Sequence, residues 1–162
     1  MTNYFQGTST KPYHISIGAV LVNDSGEIAC HHFTDHPRLN GEAFILMRET
    51  MEPNETIEET LHRGLKEEFG AKGEIVTCVG SLVKPYKAGE VTVQKTTLYL
   101  LVKLSDINED DRDPEDPERI STIEWHKPEE LTQLMESSAL KLGMPDMDES
   151  EIIKRLIKLN LV

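Results

Sequence analysis

The sequence predicts a single mixed α/β domain, with helices on both faces of one mixed β-sheet. Three observations lead there. Apolar, β-branched runs bounded by turn residues recur from Tyr13 to His126. A strongly marked helix interrupts them between Thr56 and Gly70, and two further helical segments close the chain. No repeated strand–helix–strand period, internal repeat or heptad array is present, and 162 residues suit one domain with a sizeable core.

Residues 1–10 are expected to lie outside the fold. They read as a flexible N-terminus or as the remnant of an engineered protease site, which residues 3–7 resemble in part. Residues 11–162 form the domain. Tyr13 to Asn23 reads as a strand, Asp24-Ser25-Gly26 as a turn and Glu27 to Phe33 as the second arm of a hairpin. His36-Pro37 ends it, and Glu42 to Arg48 is a short strand. Thr56 and Glu59 form a capping box, Ile57, Leu61, Leu65 and Phe69 an apolar stripe, and Gly70 a left-handed stop. Glu74 to Lys84 and Val91 to Leu104 are long strands joined by a turn over Lys87 to Glu90. Ser121 to His126 is the last strand. Pro128, followed by Glu129 and Glu130, opens a helix through about Glu136. Asp148 with Glu151 is expected to cap a final helix with Ile152, Ile153, Leu156 and Ile157 on its apolar face.

Composition narrows the function. A net charge of −12 argues against a general nucleic-acid binder, which needs a basic face. A phosphorylated small molecule stays compatible, because a bound cation inverts the local charge. Two cysteines, Cys30 and Cys78, suggest a reduced, cytoplasmic protein. No apolar run reaches the ~20 residues that span a bilayer, and no signal peptide is evident.

The first helix carries the chemistry. At ~100° per residue Glu59, Arg63 and Glu67 share one flank, while Glu68 falls on the apolar face. A carboxylate there must be paired, protonated or bound to a cation. Gly64 lies in angle between Glu67 and Glu68. A mid-helix glycine costs about 1 kcal/mol against alanine, so a close approach to the backbone is expected there.

The stretch from Glu49 to Ala71 resembles a Nudix box, G-x5-E-x7-R-E-U-x-E-E-x-G-U with U aliphatic. Glu55, Arg63, Leu65, Glu67, Glu68 and Gly70 fall at its positions. The Glu52–Leu61 phrase and Trp125 to Leu131 also look like the family, and similar organisation runs from about Tyr13 to Glu136. Two positions depart from the pattern. Arg48-Glu49 replaces the usual Gly-Gly, and Gly64 replaces the first glutamate of R-E-U-x-E-E.

The resemblance implies a Nudix-like α/β/α sandwich that cleaves a diphosphate linkage in a nucleoside diphosphate joined to another group. It implies Mg2+ or Mn2+ as cofactor, since hard cations take oxygen ligands. Glu67 and Glu68 are the metal and catalytic candidates, with Glu49 and Glu52 as further metal ligands. Glu55 and Arg63 orient loop and helix through an ion pair.

The acidic segment Asp106 to Arg119 reads either as a solvated connector or as the source of the missing base, from Glu109, Glu115 or Glu118. Glu115 is the residue carried forward. Gly64→Glu is expected to raise or create activity if the carboxylate cluster is otherwise intact. Lys84, Lys87 and Lys95 are candidates to meet phosphates. Tyr86, Tyr99 and Trp125 either stack on a base or pack in the core. His31, His32 and His36 lack a firm transition-metal spacing. The alternatives are a catalytically weak or inactive module of the same fold that binds a nucleotide or nucleotide-sugar, and a purely structural partner. A homodimer is a further family expectation.

Overall fold

The computed structural model describes residues 2–35 and 40–162. The predicted break at His36-Pro37 lies outside these residues. β1 (Tyr13–Val22) is the spine of the sheet and pairs along its whole length, in parallel, with β6 (Val91–Ile107). β5 (Ala71–Ala88) pairs antiparallel with β6 as a long hairpin, turned at Gly89 with φ +63°. Both arms outrun the predicted strands.

On the other side of β1 the sheet divides. β2 (Ile28–Phe33) leaves through a turn in which Gly26 has φ +70°, and pairs with β3 (Ala43–Ile45) and β7 (Thr122–His126). β4 (Met47–Thr50) instead pairs with β1. The single strand predicted over Glu42 to Arg48 is thus two. Leu46 marks the break: its N–H donates to Glu149 Oε2 at 2.8 Å, from the far end of the chain. No local signal carries that contact.

Side-chain alternation puts a core on each face, as period-two strands require. Ile17, Ala19 and Leu21 of β1 pack with Leu61, Leu65 and Phe69 beneath α1 (Ile57–Gly64) and the turn after it. Val20 faces the opposite core, with Leu131 and Met135 of α2 (Pro128–Leu142) and Ile152, Ile153 and Leu156 of α3 (Ser150–Lys158). This is the predicted mixed sheet with helices on both faces.

Three local differences follow from packing. Ile57, read as part of the apolar stripe, is 41% exposed because it sits at the first turn, before the helix reaches the sheet. α2 continues past Glu136 to Leu142 and stops at left-handed Gly143. The α3 cap differs as well: Glu149 holds the N-cap position without a side-chain capping bond, and Asp148 Oδ1 accepts from Ser150 N–H at 2.9 Å. Glu149 is fully buried and its side chain serves the core instead.

Residues 3–7 lie along β1: Asn3 Nδ2 donates to the Met51 carbonyl and Ile15 N–H to the Phe5 carbonyl, both at 2.9 Å. Among the described residues no helix is long and apolar enough to cross a membrane. Cys30 and Cys78 are both free thiols.

Candidate active site

The capping box forms as the sequence requires, with Thr56 Oγ1 accepting from Glu59 N–H and Glu59 Oε2 accepting from Thr56 N–H. The helix does not stay α-helical to Gly70. Residues Leu65–Phe69 form one π turn, closed by Gly70 at φ +63°. Wide turns of this kind are frequent at functional sites. This one carries Glu67 and Glu68.

Arg63 is the hub below the turn. Its Nε and Nη2 clasp the Glu55 carboxylate at 2.7 and 2.8 Å, and Nη2 also reaches the Thr50 carbonyl at 2.9 Å. Nη1 meets Glu49 at 3.1 Å and Glu67 at 3.4 Å. The guanidinium therefore ties the loop before α1 to β4 and to the π turn. Its hydrogen bond holds the Glu55 carboxyl down at about 2.

One oxygen each from Glu49, Glu67 and Asp116 lie within 4.8 Å of one another. The three come from β4, the π turn and the acidic segment. Close carboxylates repel, and burial followed by the charge of Glu68 pushes the Glu49 carboxyl up to about 7 despite Arg63. Three hard oxygen donors converging in this way fit a divalent cation of the magnesium type.

The two departures from the Nudix pattern meet here. A Cβ placed on Gly64 would lie 2.7 Å from Glu49 Cβ and 2.8 Å from Met47 Sδ. β4 thus presses on the helix where a side chain at 64 would stand, which is the expected close approach. Glu49 occupies that space from the strand side. The pattern's glycine and glutamate have exchanged places between facing elements. Any side chain placed at 64 therefore meets buried Met47 and the base of Glu49, a steric cost that the expectation for Gly64→Glu did not include.

Glu68 points inward and is 4% exposed. Its Oε2 lies 2.7 Å from His31 Nε2, and His31 Nδ1 lies 2.7 Å from Ser121 Oγ. Burial, then the nearby Asp116, raises the Glu68 carboxyl to about 8, and burial lowers His31 to about 3. Both shifts disfavour charge, so at neutral pH the contact is a hydrogen bond between uncharged partners, not an ion pair. Glu68 is not one of the three clustered carboxylates.

The acidic segment is docked rather than free. Asn108 N–H donates to the Gly70 carbonyl and Asp113 N–H to the Glu67 carbonyl, at 3.0 and 2.9 Å. Buried Arg112 anchors it through the Ser121 and Glu118 carbonyls and Ser121 Oγ, leaving its Nε without a partner. The anchoring swings Asp116 to the cluster and Glu118 to the cavity beside it. Burial first, then Glu68, raises the Glu118 carboxyl to about 7. Glu115, Glu109 and Glu52 are exposed, and the Glu52 backbone is engaged by Glu55 through its N–H and its carbonyl.

A cavity of about 460 Å3 opens beside this cluster, lined on its polar side by His14, Arg48, Glu68, Lys84, Lys95 and Glu118. Tyr86 joins it, whereas Tyr99 and Trp125 pack in the two cores. Lys84 Nζ donates to the Pro145 carbonyl at 3.2 Å, and Lys87 lies away from the cavity on Thr92 Oγ1 at 2.7 Å. His32 faces outward between Glu42 and Glu124. His36 lies outside the described residues.

Sequence reading missed Asp116 as a member of the carboxylate cluster and Arg48 and His14 as cavity residues. The reciprocal departure at 49 and 64 was visible, but only their contact gives it meaning.

A family model for the NUDIX domain matches residues 12–146. A search of curated proteins finds no match. Solved structures with the same fold include a MutT protein from Methanosarcina mazei Go1, 18% identical, with 92% of this chain and 96% of that chain covered and a TM-score of 0.58. The E. coli ORF135 protein is 15% identical over 96% of each chain, with a TM-score of 0.62. A NUDIX hydrolase from Nitrosomonas europaea is 13% identical over 91% of this chain and 94% of that one, with a TM-score of 0.64.

Proposed function

Because the chain belongs to the NUDIX domain family, we propose that it is a metal-dependent hydrolase that cleaves the diphosphate linkage of a nucleoside diphosphate joined to another group. One observation carries this reading: Glu49 stands opposite Gly64 and completes a three-carboxylate cluster that the pattern's missing glutamate would otherwise leave short. Glu49, Glu67 and Asp116 would hold the cation, and Glu55 and Arg63 orient the first two. Bound Mg2+ or Mn2+ supplies charge neutralisation of the diphosphate and a lowered pKa for water.

The chain's own groups do the rest. Glu118, the acidic-segment carboxylate that lines the cavity, accepts a proton from the attacking water. The water oxygen bonds to phosphorus, the bond to the bridging oxygen breaks, and two phosphorylated fragments leave. Glu68, held by His31, walls the cluster from the sheet side and excludes bulk water. A binding module without turnover is the second reading, supported by the bare position 64.

The test is a panel of nucleoside diphosphate derivatives incubated with Mg2+ or Mn2+ and with chelator, followed by product analysis. Metal-dependent release of a nucleoside monophosphate is the expected result. Tight binding without any product favours the module.

A further inference from the structure

The cavity holds two cations that the hydrolase reading does not use. Arg48 stands where the pattern has glycine, so its side chain is an addition to the cleft. Among the described residues its ionic partner is Glu149, whose oxygen lies 3.5 Å from Nε. That carboxylate is already engaged by the Tyr99 hydroxyl and the Leu46 N–H. Among the described residues the two Nη atoms have no partner. Lys95 has none either, although Lys84 and His14 flank it across the sheet in register. Among the described residues Arg112 Nε is the one fully buried side-chain nitrogen or oxygen without a partner, so the free ends of Arg48 and Lys95 reach the open cavity.

Burial works against the Arg48 charge, but Glu149 and Tyr99 more than offset it, so Arg48 stays a cation beside Lys95 in the cavity lining. The ammonium of Lys95 is driven down to about 8 by burial and then by Arg48, and His14 to about 4 by burial, Lys95 and Arg48. His14 is thus neutral, its ring held by Thr50 Oγ1 and Tyr86 hydroxyl at 3.1 and 3.2 Å. The acidic groups lining the same cavity do not pair with the two cations: Glu68 is taken by His31, Glu118 leans on Asp116, and Asp146 lies at the Lys84 end. The clustered carboxylates Glu49, Glu67 and Asp116 are not part of this lining. An arginine fork beside a lysine point charge suits an anionic oxygen group.

We infer that Arg48 and Lys95 form an anion subsite in the cavity, and that the preferred substrate carries a phosphate or carboxylate in addition to the diphosphate held at the carboxylate cluster. This rests on the hydrolase reading for the position of the diphosphate. An anion in the subsite offsets the burial that disfavours the Lys95 charge and gives the Arg48 Nη atoms charge-assisted hydrogen bonds.

The test uses ligand pairs that differ by one anion: NADPH against NADH for phosphate, UDP-glucuronate against UDP-glucose for carboxylate. Affinity is measured by calorimetry with Mg2+ at low temperature, and turnover separately with Mg2+ or Mn2+. The full chain is expected to favour at least one anionic member about tenfold or more, the range of a charged hydrogen bond. Lys95→Met and Arg48→Lys should bring that ratio toward one, and Lys95→Arg should retain it. The pair that responds identifies phosphate or carboxylate. Equal affinity within both pairs, or a ratio untouched by Lys95→Met and Arg48→Lys, overturns the subsite even where turnover is observed. A preference without any turnover upholds the subsite and sinks the hydrolase reading.

Discussion

Gly64→Ala separates the exchange at 49 and 64 from an ordinary helix glycine. In an open helix the substitution stabilises by about 1 kcal/mol. Here the new methyl would stand 2.7 Å from Glu49 Cβ and 2.8 Å from Met47 Sδ, against the ~3.5–4.0 Å of a relaxed contact. Met47 is fully buried, and Glu49 Cβ is fixed by the pairing of β4 with β1 at Ile17, so neither neighbour yields freely. Overpacking costs about 1–3 kcal/mol. The net expectation is a loss of roughly 1 kcal/mol, a fall of about 2–4 °C in Tm for a chain of this length. Thermal unfolding followed by circular dichroism reads it directly. In a Glu49→Gly background one of the two collisions is gone, and a double-mutant cycle should show coupling on the order of 0.5–1 kcal/mol. A rise in Tm for Gly64→Ala, or strict additivity in the cycle, refutes the close approach and with it the exchange.

The same geometry sets the outcome for activity. Gly64→Glu alone is expected to lose stability and metal-dependent turnover, whereas adding Glu49→Gly recovers part of both, the contact with Met47 remaining. Glu49→Gln should weaken Mn2+ affinity on the order of 100-fold with the fold intact, checked by metal titration and circular dichroism. Arg63→Lys keeps the charge but loses the fork on Glu55, so a cost of about 2 kcal/mol in urea unfolding is expected, with weaker metal binding. The carboxyls of Glu49, Glu118 and Glu68 titrate at about 7, 7 and 8 in the folded chain against 4.5 when unperturbed. The native state then binds more protons than the unfolded state between those values. Their contribution to stability is therefore full below about 4.5 and is lost as pH rises through 7 to 8. Tm against pH in chelator should fall over that window, and added Mn2+ should offset the fall, since a cation binds the deprotonated form.

Much of the frame was legible because it is written at short range. The two faces of β1, the Thr56–Glu59 box, the Leu61, Leu65 and Phe69 stripe and the Glu55–Arg63 pair all follow from spacings of two to eight residues. Backbone periodicity alone turns such spacings into faces. The membership of Glu67 in a carboxylate cluster was accessible in the same way.

What the spacing could not supply is any side chain whose position is set by a distant partner. The π turn shifts Glu68 onto His31, 37 residues away. Glu149 splits one predicted strand into two from 103 residues away. Arg112 docks the acidic segment, so that Asp116 joins the carboxylate cluster and Glu118, rather than Glu115, lines the cavity. Each of these depends on burial of a polar group that must find its partner wherever the chain happens to bring one. Local sequence thus determined which elements form and which faces are apolar, while the meeting of carboxylates and cations in one cleft was decided only by the packed sheet, because their contacts are long-range.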